Sequence, residues 1–262
     1  MNGPTPLLDL FKRGDMARDA RLLAAQGLLA PRAHEQLAIL VLLLDDPDEE
    51  VRTIAEATLN KIPVEVLQVF LARSDVPIGL REFFGDRGVF PAETPTIVVD
   101  EEQPLIDTTP ADEKVADDDA EEDRSSIVQK LASMSFTERL KSAVKGSREM
   151  RAILIRDPNR MICTAVLSSP KVTEQEAASF AKMGSVSEDV LRAIGNKRAW
   201  MKNYNVVLAL TKNPKTPLAM SLNLMQRLQS RDISTLSVDR NVPEPLRVAA
   251  RKKALANTTG KG

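Results

Sequence analysis

The chain is divided into short lengths by turns that stop one helix and start the next. Leu210-Thr211-Lys212-Asn213-Pro214-Lys215-Thr216-Pro217-Leu218 is the clearest of them. Pro214 disfavours helical backbone at Asn213, Thr216 is suited to cap, and Pro217 fits the first helical position with its fixed φ. Val166-Leu167-Ser168-Ser169-Pro170-Lys171-Val172-Thr173 does the same 44 residues earlier, and Thr173 with Glu176 makes a capping box. At that offset Ala165 falls on Ala209, Val166 on Leu210 and Asn159 on Asn203. Fainter versions run from Leu71 to Leu80 around Asp75-Val76-Pro77, and from Leu236 to Leu246 around Asn241-Val242-Pro243-Glu244-Pro245. Strand signals are scarce, with only Thr96-Ile97-Val98-Val99 reading as extended. The expected fold is all-α, built from short helices whose apolar stripes must be hidden against neighbours.

Residues 1–91 read as helices throughout. Asp15 to Gln26 sets Met16, Ala20, Leu23 and Ala24 on one face, Gly27 suits the stop, and Pro31 opens a helix to Leu44. In Asp45-Asp46-Pro47-Asp48-Glu49-Glu50-Val51-Arg52, Asp46 can cap, Pro47 suits the first turn, and the acids favour the positive end of the helix dipole. Val51, Ile54, Ala55, Thr58, Leu59 and Ile62 then recur at helical spacing. Later, Ser135 with Glu138 and Ser185 with Glu188 predict further capping boxes, and Asp157-Pro158-Asn159 a turn into a helix over Met161 to Ser168.

Leu43 to Ile62 resembles a HEAT repeat, whose second helix begins after an Asp-Pro turn and carries Val-Arg, then Ala, then Leu. The turn Asn213-Pro214-Lys215-Thr216-Pro217 resembles the leucine-rich repeat variant, an all-helical solenoid related in architecture to HEAT arrays. Spacings here lie nearer 28 and 44 residues than that family's tighter period, and the cysteine cluster ahead of some members is missing. The resemblance implies an α-solenoid of stacked antiparallel helices in two blocks, acting as a binding scaffold without a cluster cofactor.

Charge is distributed unevenly. The chain holds 36 Lys+Arg and 37 Asp+Glu, a net charge of −1. Residues 1–123 carry 11 basic and 27 acidic side chains (net −16), and residues 124–262 carry 25 and 10 (net +15). Such a division points to an electrostatic partner. Acid is densest from Asp100 to Asp123, where Pro104 and Pro110 interrupt and large apolar residues are few, so 92–123 reads as a flexible acidic linker. It serves either as a solvated spacer or as a competitor that covers the basic half. The expected organisation is an acidic HEAT-like block at 1–91, that linker, a basic helical-repeat domain at 124–256 and a disordered tail at 257–262.

One Cys and one His exclude a disulfide framework and a zinc or iron–sulfur site. No apolar run approaches the roughly 20 residues of a membrane helix, the longest being Leu37 to Leu44, and Met1 to Leu10 lacks the basic start of a signal peptide. A soluble cytoplasmic protein without membrane insertion, metal or cofactor is expected. His34 reads as a surface or core-edge residue and Cys163 as a small buried hydrophobe. No phosphate-binding glycine loop, nucleophile elbow or paired-His helix is visible, so nothing nominates an enzyme.

One cluster stands out. Asn196-Lys197-Arg198-Ala199-Trp200-Met201-Lys202-Asn203-Tyr204-Asn205, followed by Lys212 and Lys215, contains the only Trp and the only Tyr. At i,i+4 these two are expected to stack on one helix face, with Arg198 and Lys202 on another. Either the aromatics pack into the neighbouring repeat while the bases face water, or they anchor a ligand in a basic groove. Arg148, Arg151, Arg156 and Arg160 extend the positive potential, as do Arg247, Arg251, Lys252 and Lys253. The expected function is a non-enzymatic scaffold that binds an acidic protein partner through the basic domain, at Arg156, Arg160, Arg198, Trp200, Lys202, Asn203, Tyr204, Lys212 and Lys215. The alternative is a nucleic-acid-binding repeat protein gripping phosphate backbone, modulated by the acidic linker.

Overall fold

In the computed structural model, residues 6–30, 32–93, 103–106 and 124–259 are described. Among them the chain forms sixteen α-helices and no strand. Contacts divide it into two units, Met1–Arg151 with Ser168–Pro170, and Ala152–Leu167 with Lys171–Gly262. The first unit holds α1 (Pro6–Arg13), α2 (Arg18–Ala25), α3 (Ala33–Leu43), α4 (Glu49–Leu59), α5 (Val64–Leu71), α6 (Ile78–Asp86), α7 (Arg124–Ser133) and α8 (Phe136–Lys145). Helices α9 (Arg148–Leu154) and α10 (Arg160–Ser168) contribute residues to both units. The second unit continues with α11 (Glu174–Lys182), α12 (Glu188–Asn196), a 3-10 turn at Trp200–Lys202, α13 (Tyr204–Lys212), α14 (Leu218–Met225), α15 (Ser230–Leu236) and α16 (Glu244–Thr259). Helices α7 and α8, which carry the start of the basic half, thus group by contact with the acidic residues before them.

In the first unit α2, α3 and α4 pack on one another, α1 lies on α3, and α8 packs on α2. Leu7, Leu37, Ile39, Leu40, Val51, Ala55, Leu140 and Ala143 are fully buried. The end of α2 is set by Gly27, at φ +78°. Its N–H reaches Ala24 O (2.9 Å) and Leu28 N–H reaches Leu23 O (3.1 Å), the paired bonds that satisfy a helix's last carbonyls. Arg18 Nε meets Asp48 Oδ2 at 2.6 Å, tying the start of α2 to the residue that caps α4. Ala92 N–H donates to Gln68 O (2.9 Å), and residues 103–106 rest on α3 through Gln36. The other residues of 94–123, Thr96–Val99 among them, and Pro31 lie outside the described residues.

In the second unit α11 packs on α13, α13 on α14, and α16 on both α14 and α15. Phe180, Ala181, Leu191, Ile194, Val206, Leu210, Leu236 and Ala250 form its core. The 44-residue echo is structural: Asn159 and Asn203 each accept the N–H two residues on (2.9 Å), one before α10 and one before α13. Buried Asn213 joins α13 to α11. Its Nδ2 donates to Ala181 O (2.8 Å) and Met183 O (3.1 Å), and its Oδ1 accepts from Lys215 N–H (3.0 Å). Helix α16 runs to Thr259, into the stretch read as a tail.

The capping boxes at Ser135–Glu138 and Thr173–Glu176 form as expected. Three other caps differ. Asp46 Oδ1 accepts Asp48 N–H (2.9 Å) in a tight local turn, which delays α4 and leaves Asp48 as its cap. Ser187, not Ser185, caps α12, so Glu188 is the first helical residue and cannot complete a box. Thr216 lies one residue before the Pro217 cap of α14, with its hydroxyl buried and unbonded.

At the 44-residue offset Thr216 corresponds to buried Val172, so Thr216→Val removes a hydroxyl without a partner and leaves stability unchanged or higher. Thr173→Ala, which breaks a formed box, lowers stability by about 1 kcal/mol; urea unfolding of both variants checks the contrast. The Arg18 guanidinium holds the Asp48 carboxyl below its ordinary 3.8. A depressed carboxyl pKa stabilises above the unfolded value and loses that contribution as pH falls through the folded one. Arg18→Ala therefore shallows the acid limb of the stability–pH curve and leaves its slope above pH 6 or so alone.

Candidate functional site

The run expected to be one helix is broken. Helix α12 ends at Asn196, Trp200–Lys202 form the 3-10 turn, and Asn203 turns extended (φ −80°, ψ 120°) to cap α13. Trp200 and Tyr204 therefore do not stack on one helix face, nor do Arg198 and Lys202. The asparagine is the physical reason: its Oδ1 accepts Asn205 N–H (2.9 Å), which starts a new helix there, while its Nδ2 holds Glu174 Oε2 (2.9 Å) at the start of α11.

Trp200 is 4% exposed, and Lys197 Nζ lies over its ring, 3.9 Å from the centroid. Tyr204 is half-buried and spans to α15, its hydroxyl donating to the Asp232 carboxylate and accepting Gln229 N–H (3.1 Å). Burial and that carboxylate push its phenol above 10. The bases remain outside. Arg198 and Lys202 are exposed, and Arg227, from the turn after α14, donates to Met201 O (2.6 Å). Arg231 is exposed on the first turn of α15, beside the Asp232 that holds Tyr204. Arg198, Lys202, Arg227 and Arg231 make no ion pair among the described residues.

Arg227 and Arg231 were not legible as members of this cluster. They follow it by some 25 residues, and only the Tyr204 and Met201 contacts bring them to it. Other expected members lie elsewhere. Lys212 ends α13, about 12 Å along its axis from Tyr204, and Lys215 lies in the turn beyond it. Arg156 Nε contacts Met183 Sδ (3.3 Å), and Arg160 pairs with Asp189 (3.1 Å), both around the turn between α11 and α12. Arg151 is buried, donating to Gly146 O (2.9 Å), and contributes no surface charge. Arg247 pairs with Glu244, and Lys253 donates to Gln226 O (3.1 Å) at the end of α14.

Cys163 is buried, its thiol donating to Arg160 O (3.2 Å), and burial raises its pKa. His34 is exposed on α3. An open groove of about 770 Å³ lies in the first unit, lined by Thr53, Phe83 and Arg87 among others. Arg87 pairs there with Glu56 (2.9 Å) and covers the Phe83 ring at 4.5 Å, so its charge is already engaged. No group of three or more His, Cys, Asp or Glu among the described residues could hold a metal, and no described helix is long and apolar enough to cross a membrane.

Comparison with protein-family models, curated proteins and solved structures finds no match for this chain.

Tyr204→Phe removes the tie between α13 and α15. It lowers stability by about 1 kcal/mol and raises amide exchange at Gln229 in the full chain, measured by denaturant titration and hydrogen exchange.

Proposed function

We propose that this chain is a non-enzymatic scaffold, a HEAT-like or leucine-rich-repeat-variant α-solenoid that docks an acidic protein surface on the basic edge of its second unit. One observation carries this reading: exposed Arg198, Lys202, Arg227 and Arg231 gather around the 3-10 turn and the start of α15 and make no ion pair among the described residues. Unit Ala152–Leu167 with Lys171–Gly262 holds 18 Lys+Arg and 8 Asp+Glu, so the local field is positive as well. Arg160, by contrast, is answered by Asp189, Arg192 by Glu188 and Arg247 by Glu244. Exposed cations left unanswered cost little in water and are attracted to an acidic face, where they steer encounter and set orientation.

A protein surface fits better than nucleic acid. The only Trp is covered and the Tyr hydroxyl is tied down, so neither aromatic of this edge is offered for base stacking. Glu174, held by Asn203, adds an exposed acid beside Lys202 that a phosphate backbone would avoid.

Trp200 is the sole tryptophan and reports on this edge. Titrating the full chain with poly-L-glutamate should change its emission, with affinity falling as salt rises. The triple variant Arg198→Glu, Lys202→Glu, Arg231→Glu should weaken binding about ten-fold or more. Equal binding by the variant overturns the reading. Tighter binding of short duplex DNA, with a steep salt slope, replaces it with phosphate-backbone recognition.

A further inference from the structure

Gln36 lies on α3 in the first unit and is completely buried. Its amide is satisfied mainly by a segment 70 residues away. Nε2 donates to Ile106 O (2.7 Å), Oε1 accepts Ile106 N–H (3.1 Å), and a longer contact from Nε2 reaches Gly27 O (3.4 Å). A primary amide offers a donor and an acceptor on one edge, which matches the C=O and N–H that a single extended residue presents. Neighbouring strands use the same pairing, and extended peptides bind domains through it. Pro104, Leu105 and Ile106 are each half-buried. Without this segment the buried amide would keep only its contact to Gly27, and leaving a buried polar group unpaired is costly.

The occupant is not part of any helix. It is joined to α6 and α7 by stretches rich in acid, with Glu101 and Glu102 before it and Asp107 after it. Recognition through backbone atoms plus half-buried aliphatic side chains specifies a shape and a chemical class rather than one sequence.

We propose that the first unit carries a binding site for an extended Pro-aliphatic-aliphatic peptide, clamped at the backbone by Gln36 and filled here by the chain's own residues 103–106. A protein partner presenting such a segment exchanges with the tethered copy. The site is separate from the basic edge of the second unit and independent of its role.

The probe is a fluorescein-labelled peptide with the sequence of residues 100–110, followed by anisotropy against the full chain. The tethered copy competes at high effective concentration, so the intact chain binds the probe weakly. Replacing the tethered copy (Gln103→Gly, Pro104→Ser, Leu105→Gly, Ile106→Ser) strengthens probe binding by about ten-fold or more. A probe with Ile106→Pro lacks the N–H that Gln36 accepts and binds the replaced chain about ten-fold more weakly. Adding Gln36→Leu abolishes binding. In the unaltered chain the Ile106 amide exchanges slowly, which tests the clamp without any variant. The proposal is overturned if the replaced chain keeps its helical circular dichroism yet ignores the probe, if the Ile106→Pro probe binds as well as its parent, or if the Ile106 amide exchanges at an unprotected rate.

Discussion

Helix length is the constraint from which the other features follow. Among the described residues, fifteen of the sixteen helices run between 7 and 11 residues, with α16 the exception. In isolation a helix that short is marginal in water, because nucleation fixes several residues before propagation repays it. Each must therefore bury a face against another, as α4 does with Val51, Ala55, Thr58 and Leu59. Short helices also bring many ends, and every end leaves backbone groups to be satisfied. Polar side chains of the turns and of neighbouring helices meet that need. Asn213 takes two carbonyls around the end of α11, Lys253 those at the end of α14, and Asp48 an N–H at the start of α4.

These side chains do more than close helix ends. Asn203 caps α13 and reaches Glu174 at the head of α11, so one residue sets the start of a helix and its alignment with a neighbour. Tyr204 performs the same double task between α13 and α15. Turn-rich edges then become the places where charge collects, since the helix faces are spent on packing. The basic edge at Arg198, Lys202, Arg227 and Arg231 is such a place. The Gln36 clamp is a second kind of edge, where a helix side chain answers backbone that belongs to no helix.

Much of the local structure could be read from residue types alone. Gly27 at positive φ, the boxes at Ser135 and Thr173, and the buried Cys163 depend on sequence neighbours or on apolar context. Errors fell where two local solutions compete. Asp46 and Asp48 are both good caps, and Arg18, brought in from α2, sits with the second. Trp200 and Tyr204 have helical spacing, yet the pairing of Asn203 with Glu174 supports the break between them. Arg151 looked like surface charge, but its guanidinium turns inward to Gly146 O.

By itself the chain's amino-acid order determined that the described residues are all-α, where several helices start or stop, and which stripe of α2 and of α4 is apolar, because capping, proline geometry and periodicity act over a few residues. Only the tertiary structure decided which cations gather and which are neutralised, and that Gln36 would find its partner at Ile106. Those outcomes depend on contacts between residues tens of positions apart, and no short-range rule carries that distance.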